Sequence, residues 1–150
     1  MFKITVLLLL CAAVIGAEMP DMFKGCIRNP DHHVVPGKCT LAPRRALRGK
    51  TSLRRYAHRL LKNPVFQPPM GPNLNTVLRI TRAGLLVTDP PRGSVVRVEF
   101  ATVLSNCKRS VSYSGKKCRP VGDKANGLCQ AKFLLQYGLR LLQRAWCTPL

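Results

Sequence analysis

Cysteine, histidine and the basic side chains are the residues of this sequence that can do chemistry, and their spacing restricts each of them. Seven cysteines occur: Cys11, Cys26, Cys39, Cys107, Cys118, Cys129 and Cys147. Cys11 lies in the largely apolar run Ile4–Ile15, between Met1-Phe2-Lys3 and Gly16-Ala17. A positive start, twelve such residues and two small ones read as an export signal over residues 1–17, with Glu18 the first mature residue. A membrane-spanning helix would need about 20. Losing the signal leaves six cysteines, which in a secreted, extracellular chain read as three disulfides. Pairing remains open at this point. A zinc knuckle needs cysteines separated by roughly two to four residues, and no pair here is that close.

Histidine and carboxylate chemistry is thinly supplied. His32, His33 and His58 are the only imidazoles. Ribonuclease chemistry sets two imidazoles across a phosphate with a lysine beside them, and no such motif is recognisable. The six acids, Glu18, Asp21, Asp31, Asp89, Glu99 and Asp123, are scattered, and there is no Gly-x-Ser-x-Gly elbow. No enzyme, metal or cofactor is implied.

Charge is the third resource. Twenty-five Lys and Arg face six acids, a formal net charge of +19, and the leader removes only Lys3 from that balance. Such a field draws polyanions without choosing among them. The candidate anion-binding residues are Arg44, Arg45, Arg48 and Lys50 in a basic stretch, and Arg54, Arg55, Arg59 and Lys62 on a predicted helix. Lys108, Arg109, Lys116 and Lys117, with Arg119, follow in a loop, and Arg140 and Arg144 lie near the end. Each cation near an anionic leaflet is worth about 1 kcal/mol. Anionic lipids, lipopolysaccharide and glycosaminoglycans fit this pattern; specific nucleic-acid recognition does not.

The elements that must hold these groups follow from periodicity. Pro20, Pro30, Pro36 and Pro43 keep residues 18–50 irregular, and Cys26 with Cys39 can close a small loop there. Arg44–Lys50 reads as a solvated linker or, at Arg44-Arg45, a processing site. Leu53, Tyr56, Ala57, Leu60 and Leu61 recur at helical spacing, predicting a core-facing helix opened by Thr51 or Ser52 and ended by Asn63-Pro64. Leu78 and Ile80 alternate with Arg79 and Thr81, and Gly84 suggests a bulge before Leu85-Leu86-Val87. Asp89-Pro90-Pro91-Arg92-Gly93 is a turn, after which Val96, Val98 and Phe100 mark a half-buried strand. Tyr113-Ser114-Gly115-Lys116-Lys117 reads as a basic loop. Leu128–Leu135 and Leu139–Trp146 make a last hairpin around Tyr137-Gly138, with Leu139, Leu141 and Leu142 read as strand core ahead of the alternative that they insert into a membrane. One helix followed by an antiparallel meander gives an α+β domain.

With these elements in place, the sequence resembles the cystatin superfamily. The likeness covers about residues 51–147. It rests on Arg97-Val98-Glu99-Phe100 running into Cys107, Cys118, Cys129 and Cys147, with ten, ten and seventeen residues between successive cysteines. That rhythm, Asn126-Gly127-Leu128 before Cys129 and Leu135-Gln136-Tyr137-Gly138 after it are closer to the cathelicidin propiece and chemerin than to inhibitory cystatins. The resemblance implies a cystatin-like α+β fold, one helix packed on an antiparallel β-sheet and stabilised by disulfides. It pairs Cys107 with Cys118 and Cys129 with Cys147, leaving Cys26 for Cys39. The organisation expected is a leader at 1–17, a basic Pro-rich N-terminal arm with a small disulfide loop at 18–50, and a cystatin-like domain at 51–150.

The resemblance also brings functions to weigh. Inhibitory cystatins wedge an N-terminal segment, a Gln-x-Val-x-Gly hairpin and a Pro-Trp hairpin into a cysteine-protease cleft. Here the first hairpin reads Leu85-Leu86-Val87-Thr88-Asp89, the second carries Tyr137-Gly138-Leu139, and Trp146 stands beside Cys147. Cathelicidins release a peptide from beyond the last cysteine, and a chemerin-like ligand would use a C-terminal tail; only Thr148-Pro149-Leu150 follow Cys147. The first expectation is therefore a secreted, cationic host-defence protein that binds lipopolysaccharide or anionic membranes. Divergent cystatin-type protease inhibition and a chemerin-like cell-surface receptor ligand are the alternatives.

Overall fold

The computed structural model describes residues 19–31, 33–49, 52–89 and 92–150. The expected export signal with Cys11, Glu18, His32, Lys50, Thr51 and the Pro90-Pro91 pair lie outside them. Five strands form one antiparallel sheet in sequence order: β1 (Cys39–Leu41), β2 (Asn73–Val87), β3 (Ser94–Lys108), β4 (Gly127–Gln136) and β5 (Leu139–Pro149). A short helix α1 (Arg44–Leu47) and the main helix α2 (Ser52–Leu61) connect β1 to β2, followed by a 3-10 turn at Pro64–Phe66.

The predicted apolar stripe packs α2 onto the sheet. Tyr56, Ala57, Leu60 and Leu61 are buried against Val77, Ile80, Val98, Phe100 and Phe133, and Leu53 packs at their border. The Tyr56 and Phe133 rings lie 5.0 Å apart, close enough to add to the gain from area burial alone. Asn63 ends the helix as expected and caps the 3-10 turn, its side-chain oxygen accepting from the Val65 amide. The last hairpin turns at Tyr137-Gly138, where it was read.

All three disulfides pair as the resemblance implied: Cys26–Cys39, Cys107–Cys118 and Cys129–Cys147. Loops of these sizes each stabilise the fold by roughly 3 kcal/mol in the chain-entropy account. Cys129–Cys147 joins directly opposed residues of β4 and β5. Cys26–Cys39 ties the N-terminal segment to β1.

Three expectations are corrected. β2 has no bulge at Gly84, which pairs in register with both Leu41 and Arg97; the irregularities fall between Asn73 and Asn75, between Val77 and Arg79 and between Ile80 and Arg82. The glycine supplies space instead, because a Cβ there would meet the Cys39 sulfur at 2.9 Å. β3 is not half-buried: Glu99 is only 6% exposed, although it points away from the helix. The cause is the N-terminal segment, which lies over the back face of the sheet. There Pro20 accepts from the Trp146 indole, the Met22 amide donates to Gln130, Phe23 stacks under Arg82, and Ile27 bridges to Thr40. Finally, Leu139, Leu141 and Leu142 are exposed rather than core, because β5 is an edge strand with no neighbour beyond it.

Candidate functional site

Strand register brings three chain segments to one edge of the sheet. Val87 pairs with Ser94, Ser94 with Leu135, and Gln136 with Leu139, so the β2–β3 and β4–β5 turns sit side by side. The third segment is the Val35–Lys38 turn before β1, where the Gly37 amide donates to the Val87 carbonyl at 2.9 Å. In the first turn the Thr88 hydroxyl donates to the Gly93 carbonyl, and the Arg92 amide to Asp89. Gly93 has φ +79°, and a Cβ on it would run into the Leu135 carbonyl, so this glycine lets the two turns pack together.

The second turn is the more unusual. Tyr137 and Gly138 both have positive φ, 50° and 72°, the pairing of a type I′ hairpin. That turn favours Asn-Gly or Gly-Gly; a tyrosine held left-handed costs about 1–2 kcal/mol. The side chain gains no burial in exchange, being 81% exposed. Leu139, the residue after Gly138, is 58% exposed. The edge therefore presents an exposed aromatic and an exposed aliphatic side chain beside the two packed turns.

On the back face, register sets Arg82, Glu99, Gln130 and Trp146 in one row. Both Glu99 oxygens are fully used. Thr81 and the Arg82 Nε donate to one at 2.7 and 3.0 Å, and Arg82 Nη2 and Gln130 donate to the other at 2.5 and 2.7 Å. Asp21 joins from the N-terminal segment, accepting from Arg82 and Gln130. Burial alone would raise the Glu99 carboxyl, but the bonds from Arg82, Thr81 and Gln130 outweigh it and hold the group below its ordinary value. Asp21 is held low against the same opposing effect by the Phe23 amide, Arg82 and Gln130. The bond to Glu99 raises Arg82 in turn. This network pins the segment whose continuation supplies the edge.

The sequence-predicted cations scatter. Arg44, Arg45 and Arg48 are exposed on and just after α1, while Lys108, Lys116 and Lys117 are exposed within the Cys107–Cys118 loop. Arg140 lies over the Tyr56 ring, and Arg144 is exposed on β5. Arg55, Arg59 and Lys62 share the outward face of α2, but Arg54 does not join them; half-buried, it donates to the Val77 carbonyl at 3.2 Å. Arg109 is a staple, its guanidinium donating to the carbonyls of Pro68, Met70 and Gly71. Besides the Arg82 network, sequence reasoning missed Tyr113. It is buried, and its hydroxyl bridges His58 Nδ1 at 2.6 Å and the Thr76 hydroxyl at 3.0 Å. Burial, and then the Arg54 charge, push the His58 imidazole below its ordinary value. Among the described residues no cluster of metal-ligating side chains occurs, and no helix is long and apolar enough to cross a membrane.

No family model and no curated protein matches this chain. Among solved structures it is similar to Mialostatin, a gut cystatin from the hard tick Ixodes ricinus. The TM-score is 0.51 at 20% sequence identity, over 65% of this chain and 88% of that one. It is also similar to a salivary cystatin from the soft tick Ornithodoros moubata. There the TM-score is 0.56 at 18% identity, over 76% of this chain and 99% of that one. The fold is cystatin-like.

Proposed function

We propose that this chain, a carrier of the cystatin-like fold, works outside the cell as a divergent cystatin-type inhibitor that presses its hairpin edge into the cleft of a papain-like cysteine protease. The observation that carries this reading is Tyr137, held left-handed and exposed where nothing in the fold requires a tyrosine. Strained, exposed residues mark function more often than packing. Tyr137 offers a rigid aromatic anchor with a polar tip, the kind of side chain that dominates interface energetics. Its neighbours supply the rest of a wedge: the Thr88–Gly93 turn beside it and the Val35–Lys38 turn beyond.

The departures set the expected strength. Of the Gln-x-Val-x-Gly pattern only Val87 remains, and Tyr137-Gly138-Leu139 replaces Pro-Trp. The Val35–Lys38 segment is also pinned at both ends, by the Val35 amide donating to the Thr40 hydroxyl and by the Gly37–Val87 hydrogen bond with the adjoining Cys26–Cys39 disulfide, rather than free to follow a cleft. Binding on the order of micromolar, about −8 kcal/mol, fits these losses better than nanomolar, about −12 kcal/mol. The defence reading finds less support in the geometry. The three outward cations of α2 have no exposed apolar residue beside them on that helix, so that helix has nothing to insert into a leaflet. What that reading has in its favour is the exposed Leu139, Leu141 and Leu142 beside Arg140 and Arg144 on β5.

The test is a titration of papain-like proteases with the purified protein and with Tyr137→Asn. Asparagine suits the left-handed turn, so the variant should unfold at the same temperature or slightly higher, by about 0.5 kcal/mol of added stability. Inhibition should weaken about tenfold or more, as for loss of an aromatic anchor. An equally potent Tyr137→Asn, or a parent that inhibits no such protease at about 100 μM, some hundredfold above the expected constant, would remove the proposal.

A further inference from the structure

The half of β2 farthest from the hairpin edge carries a cavity. Thr76 and Val77 form its floor, and Val87 at the edge lies ten residues further along, about 30 Å at strand rise. The cavity measures about 290 Å³, near the low end of small-ligand sites. Its walls come from three separate elements: Arg48 just past α1, Arg54 and His58 on α2, and Arg119 beyond the Cys107–Cys118 disulfide. Among the described residues no carboxylate lines it, and the ion pairs are both made by Arg82, elsewhere. The side chains of Arg48 and Arg119 have no hydrogen-bond partner among the described residues. Three guanidinium groups and an imidazole facing one cavity without a counter-ion is an arrangement that folding alone does not favour, since like charges brought together repel.

We infer that this cavity is a binding site for a sulfate ester group of a sulfated polysaccharide, held by Arg48, Arg54 and Arg119 with His58. The guanidinium fork suits tetrahedral oxyanions and binds them through charge-assisted bonds. A linear polyanion fits better than a leaflet for two reasons. Arg54 is half-buried, beyond the reach of a flat surface, which would meet Arg55, Arg59 and Lys62 instead. And two exposed basic runs flank the cavity, Arg44-Arg45 one helical turn before Arg48 and Lys116-Lys117 beside Cys118, so a chain of sulfates passing through finds cations on either side.

His58 provides an internal reporter. Its ring is fixed by Tyr113 and fits only because residue 115 is glycine, where a Cβ would come 2.6 Å from the imidazole. Burial and the facing Arg54 push it below its ordinary value; the other charged groups of the cavity, Arg48 and Arg119, are cations too. A bound sulfate would offset them and raise the imidazole toward protonation.

The experiment compares a sulfated hexasaccharide with vesicles of phosphatidylglycerol and phosphatidylcholine, by calorimetry at physiological salt. The proteins are the parent, Arg48→Gln/Arg119→Gln and Arg55→Gln/Arg59→Gln; the two variants lose equal charge. The expected result is about a tenfold loss of oligosaccharide affinity for the first variant and under threefold for the second. In the unaltered protein, saturating oligosaccharide should shift the His58 titration, followed by NMR, to higher pH. Equal losses in both variants, an unmoved His58 titration, or binding of the vesicles but not the oligosaccharide would each overturn the assignment.

Discussion

Glu99→Gln tests whether the Arg82 network holds the N-terminal segment to the sheet. The substitution keeps the shape and one acceptor oxygen, which retains the bonds from Thr81 and Arg82 Nε. The other oxygen becomes an amide nitrogen facing two donors, Arg82 Nη2 and Gln130 Nε2. Gln130 cannot flip to relieve this without losing the Met22 amide, which its oxygen accepts at 2.8 Å. Two hydrogen bonds to a buried charge are lost, each worth about 1.5–3 kcal/mol. Arg82 keeps Asp21 as a half-exposed partner, which returns about 1 kcal/mol at most. The expected cost is about 3 kcal/mol, or roughly 10 °C in Tm for a domain of this size. The sign of the pH dependence follows from the two depressed carboxyls. The unfolded chain takes up their protons more readily, so their contribution is present at neutral pH and is lost as pH falls below about 5 through their folded values. Glu99→Gln should therefore flatten the acid limb as well as lower the plateau. Denaturant unfolding of parent and variant between pH 3 and 7, disulfides intact, measures both. A loss under 1 kcal/mol with the acid limb unchanged would mean that the network is ornamental and something else holds the segment.

Two glycine substitutions probe the close approaches. Gly84→Ala forces a methyl toward the Cys39 sulfur, costing about 1–3 kcal/mol by overpacking. Thermal unfolding in a double-mutant cycle should show most of that cost vanish in a Cys26→Ala/Cys39→Ala background, where the sulfur is gone. Gly93→Ala meets both an unfavourable φ and the Leu135 carbonyl. It should destabilise by about 2 kcal/mol and, by parting the two turns, weaken protease inhibition; inhibition at parental strength would show that their apposition is immaterial.

What could be read in the sequence was what local chemistry settles. The α2 stripe, the alternation at Val96, Val98 and Phe100, and the turn at Tyr137-Gly138 each depend on neighbours within a few residues. The cysteine pairing was legible only through the family rhythm, since spacing alone leaves the pairs open. The Arg82 network was not legible, because its members lie 17 to 109 residues apart and converge only through register. One sign was present: Glu99 is the sole acid in the long β3 segment, between Val98 and Phe100, and an acid there needs a cation on the opposing strand. The irregularity between Ile80 and Arg82 hid which residue that would be. Tyr113 was obscured by the polar residues around it, although an aromatic in a Ser-Gly-Lys loop beside a cysteine is a reasonable candidate for burial. The prolines of residues 18–50 suggested a loose arm; the segment instead supplies β1 and covers the back of the sheet.

The way the acids are used explains why the surface is so one-sided. Two of them, Asp21 and Glu99, are committed to a single arginine. Asp31, Asp89 and Asp123 are exposed without an ion pair among the described residues. Nearly all of the remaining cations therefore face solvent uncompensated, and their mutual repulsion works against the compact state. Three short disulfide loops and a fully hydrogen-bonded buried carboxylate are what a small domain would need to withstand that repulsion. The fold thus separates two properties that are usually mixed. Its hairpin edge carries a strained, exposed tyrosine at the tip beside Leu139 and, on the function proposed above, meets a protein cleft. Its flanks are cationic and suit a polyanion. On the two proposals above, the cavity and the edge lie at opposite ends of β2, so that one molecule would hold a sulfated chain and a protease together without either partner covering the other.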